Sequence, residues 1–363
     1  MPGPVASASS ERPDAHPQGR KLLFFVLFPY LPDARGGSEL SFHSLFRALV
    51  GRGWEVEVVC SRADVRADRR VTDRGLGYRC HRVPVGKVSR TLAERIESFA
   101  PDVVMSGPNS RVLPVLAAVA AAGIPSFFFS RILEDLGGVR LPSGLSIIAN
   151  SPVNAARLSA LHDGPVGLVR PTIDPNDYRV KRRRREFVTF VNPIPVKGLE
   201  IALEVARLLP AVRFLFVQGR WAEPVASLEA SILGRLPNVV LWPPQRDMRR
   251  VYARTDVLLF PSQWEETAGR VILEAQLNGI PVVASEVGGV PDQLGAGGLL
   301  VREKTDARAF VRALERLREE ETLYRSLSAA AVANCQRAEL SLAAQVDAFE
   351  TFVTRELQRR ASS

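Results

Sequence analysis

Two short apolar runs with a helical pattern between them constrain this chain more than any other feature. Val257–Phe260 is continuously apolar and stops at Pro261; Pro281–Ala284 repeats the pattern just after Gly279. Runs this short, without polar alternation, suit strands buried on both faces of a parallel sheet. Parallel neighbours cannot be joined by a tight hairpin, so a crossover must lie between them. The spacing of Val271, Leu273, Ala275 and Leu277 suits a crossover helix that starts near Ala268 and ends before Gly279. The loop ahead of it opens onto the helix N-terminus. An α/β fold built from such units follows.

The loop and helix also carry chemistry. A helix start leaves its first backbone N–H groups without intrahelical partners, and those of Thr267, Ala268 and Gly269 are placed to meet an anion or a sugar hydroxyl. Glu266 lies in the loop. Glu274 sits roughly 7–8 Å further along the helix, its side chain leaning back toward the N-terminus. Two carboxylates so placed can accept hydrogen bonds from hydroxyls at both ends of one elongated, polyol-bearing ligand. Taken alone, the pair reads equally as a helix cap and a solvated face residue.

Taken in order, Pro261-Ser262, Glu266 and Glu274 in Glu-x7-Glu spacing, Glu274-Ala275, Gly279-Ile-Pro-Val-Val-Ala284 and Gly288-Gly289 resemble the signature of the retaining family 4 glycosyltransferases. The resemblance covers nearly the whole chain after residue 20 and is densest over Val251–Val301. It implies the GT-B fold, two doubly wound Rossmann-like α/β domains facing a central cleft. It also implies that Glu266 contacts the donor sugar and Glu274 the ribose of its nucleotide, with Thr267, Ala268, Gly269 and Arg270 on the donor side.

The rest of the chain divides accordingly. Its 363 residues suffice for two buried cores. Residues 1–20 are Pro-, Ala- and Ser-rich without an apolar block, and are expected to form a disordered tail, not a secretory signal. Lys21–Phe28 reads as a central strand. The loop after Pro29 delivers Gly36-Gly37-Ser38-Glu39 into a helix over Leu40–Val50, with Ser38 as its N-cap. Strand and helix patterns then alternate through Pro152–Leu161, giving an N-terminal domain over 21–173. The Pro- and charge-rich stretch 174–186, with Lys181-Arg-Arg-Arg-Arg185, is expected to be a solvated linker. A second alternating block fills 187–341. Within the resemblance the N-terminal domain binds the acceptor and the C-terminal one the nucleotide sugar, and the helix over 342–358 crosses back onto the first.

Further candidates fall in the loops. Gly36 and Gly37 read as an ordinary strand-to-helix turn, and by the resemblance as the loop facing the donor diphosphate. Lys197 stands at a helix start, where the macrodipole disfavours a cation unless a bound anion compensates it; the resemblance makes it the lysine of the diphosphate. Many relatives carry an arginine five residues earlier, where this chain has Asn192. Arg270 or Arg220 then supplies the charge, or Lys197 acts alone. Where many relatives have a histidine after the strand Ser126–Phe129, this chain has Arg131, followed by Glu134 and Asp135. An arginine cannot serve as a base at neutral pH. Either it binds an anionic or polar group, or Asp135 or His43 acts on the acceptor; a surface salt bridge is the plainer reading of Arg131. Asp292, after the glycine pair, reads as structural.

Composition narrows the partners. A net charge of +9 admits nucleic acid, an anionic membrane or an anionic small ligand. No nucleic-acid-binding motif accompanies the basic run, and no basic amphipathic helix or apolar anchor marks a lipid surface, so neither is favoured. No apolar run reaches bilayer length. Cys60, Cys80 and Cys335 are scattered and odd in number, and the four histidines are dispersed; a reducing cytoplasm, with no metal and no cofactor beyond the donor, is expected. The Ala- and Arg-rich composition associates with high-GC bacteria and secondary-metabolite or surface-glycan enzymes. The expected activity is metal-independent, retaining transfer by front-face attack, from a UDP-sugar first of all, to a small polar or natural-product acceptor. A GT-B phosphorylase or pseudo-glycoside synthase, or a catalytically silent sugar-nucleotide-binding protein, is the alternative.

Overall fold

A computed structural model describes residues 19–62, 71–132, 136–138, 140–219 and 236–362. The first unit runs β1 (Lys21–Pro29), α1 (Gly37–Gly51), β2 (Glu55–Ser61), β3 (Val71–Asp73), β4 (Arg79–Val83), α2 (Val88–Phe99), β5 (Val103–Ser106), α3 (Leu113–Ala121), β6 (Ser126–Phe129), β7 (Ser146–Ala149), α4 (Pro152–Ser159) and β8 (Val166–Leu168). Its strands lie in the order β3-β4-β2-β1-β5-β6-β7-β8. All pairs are parallel except β3 with β4. The central position of β1 explains its unbroken apolar run. Leu22, Phe24 and Val26 pack with Phe42 and Phe46 of α1 on one face, while Leu23 and Phe25 pack with Leu92, Val104 and Leu116 on the other. β3 and β8, three residues each, escape a reading based on apolar runs because they sit at sheet edges.

The second unit runs β9 (Phe187–Val191), α5 (Leu199–Leu208), β10 (Phe214–Val217), β11 (Val239–Trp242), α6 (Arg249–Tyr252), β12 (Thr255–Phe260), α7 (Arg270–Gln276), β13 (Val282–Ser285), α8 (Val290–Leu294), β14 (Gly298–Val301), α9 (Ala307–Glu319) and α10 (Glu321–Cys335). Its sheet is wholly parallel, in the order β11-β10-β9-β12-β13-β14. The order reverses between β9 and β12 here, and between β1 and β5 in the first sheet. Ligands of doubly wound sheets bind at such points, beyond the carboxyl ends of the strands.

The last helix, α11 (Leu342–Ala361), returns to the first unit. Its Val346, Phe349, Phe352 and Val353 complete the α1 face of that core. Phe349 and Val353 are fully buried, worth about 1.5–3 kcal/mol each. Trp54 Nε1 donates to Glu350 Oε1 at 2.7 Å, and Arg52 Nη1 reaches Asp347 and Glu350 at 2.5 and 2.6 Å.

Two local expectations fail. Ser38 is not the N-cap of α1: the helix starts at Gly37, Gly36 is the cap, and Ser38 lies inside the first turn. The Glu39 carboxyl folds back over Gly36, where any Cβ would collide with it. The basic run is not simply solvated either. Arg183 donates to Gly279 O at 2.7 Å and Tyr324 Oη at 3.0 Å, and Arg185 donates to Asp256 at 2.7 Å while lying 3.5 Å from the Tyr324 ring centre. Tyr324 of α10 thus offers a ring and a hydroxyl that dock two of the five basic residues onto the second unit.

Candidate active site

β9 and β12 are hydrogen-bonded neighbours, so the loops that follow them emerge side by side at the strand-order reversal. Asn192 turns the first loop with a left-handed φ of 63°, its Oδ1 packed against Gly219. Pro195–Lys197 forms a single 3₁₀ turn ending at Gly198, whose φ is +86°. A Cβ on Gly198 would overlap Pro261 O, so only glycine lets the two loops touch backbone to backbone. The N–H groups of Gln263 and Trp264 both donate to Val196 O at 3.0 Å.

This packing delivers Lys197 to Glu266. Lys197 Nζ donates to Glu266 Oε1 at 2.5 Å, and Ser262 Oγ donates to the same oxygen at 2.7 Å. No protein group among the described residues donates to Glu266 Oε2. The Glu266 backbone is pinned from behind: Gly289 N–H donates to its carbonyl at 2.7 Å, and a Cβ on Gly288 or Gly289 would overlap the carbonyl of Glu266 or Thr267. The Gly-Gly pair therefore seats the loop that carries Glu266.

α7 starts at Arg270, two residues later than its apolar spacing implies, so Thr267, Ala268 and Gly269 precede the helix. Their N–H groups donate to no protein acceptor among the described residues. Glu274 is buried inside α7, not poised in the open. Its Oε1 accepts from Arg270 Nε at 2.8 Å and its Oε2 from Tyr252 Oη at 2.7 Å. Burial raises the Glu274 pKa, and the Arg270 guanidinium and the two hydrogen bonds pull it part of the way back. Tyr252 carried no sequence signal, since it packs from α6 through the tertiary fold.

Arg270, expected on the donor side, is heavily engaged by protein groups. Besides Glu274, it donates to Ser41 Oγ at 2.9 Å, to Thr172 O and to Tyr178 Oη at 2.8 Å. Four of its five N–H groups are thus committed to protein acceptors, two of them in the first unit. Burial works against its charge, but Tyr178 and Glu274 hold its pKa above the ordinary value. Arg270 ties the units together, and the stem of its side chain lies where a Cβ on Gly37 would reach it at 3.8 Å. The Gly36–Gly37 turn therefore abuts the second unit.

Other contacts close the same seam. Thr267 Oγ donates to Arg131 O at 2.8 Å and accepts from Asn150 Nδ2 at 2.9 Å. Arg157 meets Glu265 at 3.1 Å, and Arg170 forks onto Asp292. Asp292 thus joins the units. On the first-unit side, His43 is half-buried with Nδ1 2.8 Å from Tyr78 Oη, itself 3.0 Å from Tyr30 Oη. Burial first, then Arg47, Arg35 and Arg270, push its pKa down to about 4. His43 is neutral at pH 7. Arg131 is no surface residue: it is buried between the rings of Phe42 and Phe129. Glu134, Asp135 and Arg220 lie outside the described residues. Among the described residues, no three His, Cys, Asp or Glu side chains gather as metal ligands, and no helix is long and apolar enough to cross a membrane.

With this geometry in place, comparison with known proteins is specific. Residues 185–320 match the family described as glycosyl transferases group 1, and residues 36–160 match the glycosyl transferase 4-like domain. A D-inositol 3-phosphate glycosyltransferase of Mycobacterium sp. (strain JLS) is 35% identical over 167 residues, 40% of this chain and 38% of the relative. One from Segniliparus rotundus is 34% identical over 207 residues, covering 47% of this chain and 45% of the relative. Each match spans less than half the length of these relatives. Among solved structures, the Anabaena HepE protein in complex with UDP and glucose superposes with a TM-score of 0.73 at 18% identity, over 92% of this chain and 99% of that one. Sucrose-phosphate synthase from Thermosynechococcus elongatus gives 0.72 at 18%, over 95% and 100%.

Proposed function

The chain belongs to the group 1 glycosyl transferases with the GT-B architecture, and we propose that it moves a sugar from a nucleoside-diphosphate sugar, UDP-linked, to a small polar acceptor at the seam between its units. The observation that carries this reading is the 2.5 Å contact of Lys197 with Glu266 at the strand-order reversal. An ammonium has three N–H donors, so the Glu266 contact leaves two for diphosphate oxygens. As the bond from the anomeric carbon to the diphosphate breaks, negative charge collects on the departing phosphate. A cation already in place stabilises that charge without reorganising. Glu266 Oε2 is available to a hydroxyl of the donor sugar, and the N–H groups of Thr267, Ala268 and Gly269, next in sequence, have no protein acceptor among the described residues.

Glu274 is the proposed ribose contact. Each carboxylate oxygen has two acceptor sites, and Arg270 and Tyr252 occupy one on each. The acceptor lies on the first unit, toward His43 and Arg131, held for attack on the anomeric carbon. Transfer retains configuration, the departing phosphate taking the acceptor proton on the same face. UDP is supported by the ligand of the Anabaena neighbour, and a small polar acceptor by the name of the mycobacterial relatives.

The test is a thermal-shift series with UDP, GDP, ADP and dTDP, followed by release of UDP from UDP-sugars. A rise in melting temperature with UDP that Lys197→Ala reduces is the expected result. No shift with any of the four nucleotides would sink the proposal. The anomer of the product, read by NMR, checks retention.

A further inference from the structure

Arg131 leaves the end of β6 and lies under the seam, 7% exposed. Its guanidinium carbon is 4.6 and 4.4 Å from the ring centres of Phe42 and Phe129. Nε and Nη2 are enclosed and donate to no acceptor among the described residues. These two nitrogens share one edge of the fork. Their N–H groups run parallel, the geometry that meets two oxygens of a single carboxylate or phosphate.

The two ring faces offer the charge cation–π contact but no hydrogen-bond acceptor. Burial and the nearby Arg270 charge push the Arg131 pKa down to about 9, with Glu39 offsetting only part of the effect. Arg270 is matched by four protein acceptors; the bidentate edge of Arg131 is matched by none. A buried charged donor without a partner is destabilising, so its presence beside the crevice points to a ligand. Its position points the same way. Thr267, next in sequence to Glu266, rests directly on the Arg131 carbonyl.

We infer that the Nε–Nη2 edge of Arg131 grips an anionic group of the acceptor, a phosphate monoester or a carboxylate, reached as the units part at the Thr267 contact. The word acceptor rests on the glycosyl-transfer reading; the anion site does not. A neutral hydroxyl presents one oxygen to two parallel N–H groups and leaves the buried charge uncompensated. The anion would therefore select among acceptors as well as orient them.

The experiment is calorimetric titration of the full chain with inorganic phosphate, acetate and neutral glycerol, with and without saturating UDP to fill the donor diphosphate site. The same series is run on Arg131→Met and Arg131→Lys. Phosphate or acetate is expected to bind the UDP-saturated wild type, at least tenfold more weakly to both variants, and glycerol to show no dependence on Arg131. Which anion binds decides between phosphate and carboxylate. Arg131→Met replaces an unmatched buried cation by an apolar chain of similar length, so its melting temperature without ligand should hold or rise, separating lost binding from lost fold. Failure of both anions to bind the wild type, or binding that Arg131→Met retains, overturns the inference. A chain that binds UDP but neither anion keeps the donor reading and loses this one. One that holds phosphate through Arg131 but never UDP does the reverse.

Discussion

Lys197 and Glu266 are 69 residues apart in sequence and 2.5 Å apart in space. The contact exists because β9 and β12 are neighbours and because Gly198 lets their loops touch. The Lys197 side chain is 27% exposed, so the pair adds only about 0–1 kcal/mol to stability. Lys197→Ala and Glu266→Ala should therefore each lower kcat about a hundred- to a thousandfold, with little change in the denaturant midpoint. They should differ in binding. Calorimetry is expected to show UDP affinity weakened about tenfold in Lys197→Ala, the loss of one charge-assisted contact, and kept in Glu266→Ala. Equal loss in both would assign Glu266 to the nucleotide instead of the sugar.

Arg270 sets a different balance. Both it and Glu274 are buried, and removing one member leaves the other as an uncompensated interior charge. Arg270→Ala should destabilise the chain by about 3–5 kcal/mol in urea denaturation. Glu274→Ala should do much the same, so it is a poor probe of nucleotide binding. Glu274→Gln keeps an acceptor oxygen for Arg270 or Tyr252 and is the better variant; about 1–3 kcal/mol of lost UDP affinity is expected from it if ribose hydroxyls are left unpaired. Unchanged stability in Arg270→Ala would mean that the ties to Ser41 and Thr172 carry no net weight.

What was legible in the sequence follows from range. Lys197, Glu266 and Glu274 stand in loops and a helix that strand-length apolar runs delimit, but it is the family resemblance, not the runs, that groups them at one donor site. The Arg270–Glu274 pair, at i and i+4, was within reach of local spacing. The reach of Arg270 to Ser41, 229 residues away, was not. Cys60 and Cys80 looked scattered, yet β2 and β4 are adjacent and bring their sulfurs to 3.8 Å. Ser38 shows the local limit. Cap preference favours serine, but the fold of Glu39 over Gly36 starts α1 earlier.

His43 gives a pH dependence. Its pKa falls from 6.5 to about 4 on folding, through burial and three arginines. The unfolded chain therefore takes up a proton that the folded chain resists. Stability from this source is complete above pH 6.5 and is lost as pH falls toward 4. Burial lowers the pKa of His162 too, so it acts in the same direction. Melting temperature measured from pH 7 to 4 should fall less steeply in His43→Gln than in the wild type, and least in the variant that also carries His162→Gln. A His43→Gln curve parallel to the wild type throughout would show that His43 titrates as freely as in the unfolded chain.

The glycine pair behind Glu266 offers the sharpest separation of activity from stability. Gly288 has a φ of +48°, and a Cβ there would overlap the Glu266 carbonyl. Gly288→Ala thus combines left-handed strain of about 1–2 kcal/mol with a push on the loop that carries Glu266. A displacement of about 1 Å at a reacting group costs about a hundredfold in rate. Gly123 is the control: its φ is +82°, but nothing lies within 4 Å of its Cβ position. Gly123→Ala carries the strain alone and should lower the melting temperature by about a few degrees while keeping kcat. Gly288→Ala should lose kcat by about a hundredfold and, because its Cβ also meets the Glu266 carbonyl, melt lower than Gly123→Ala. If both variants kept full turnover, the Gly288–Glu266 backbone contact would have no part in positioning the carboxylate.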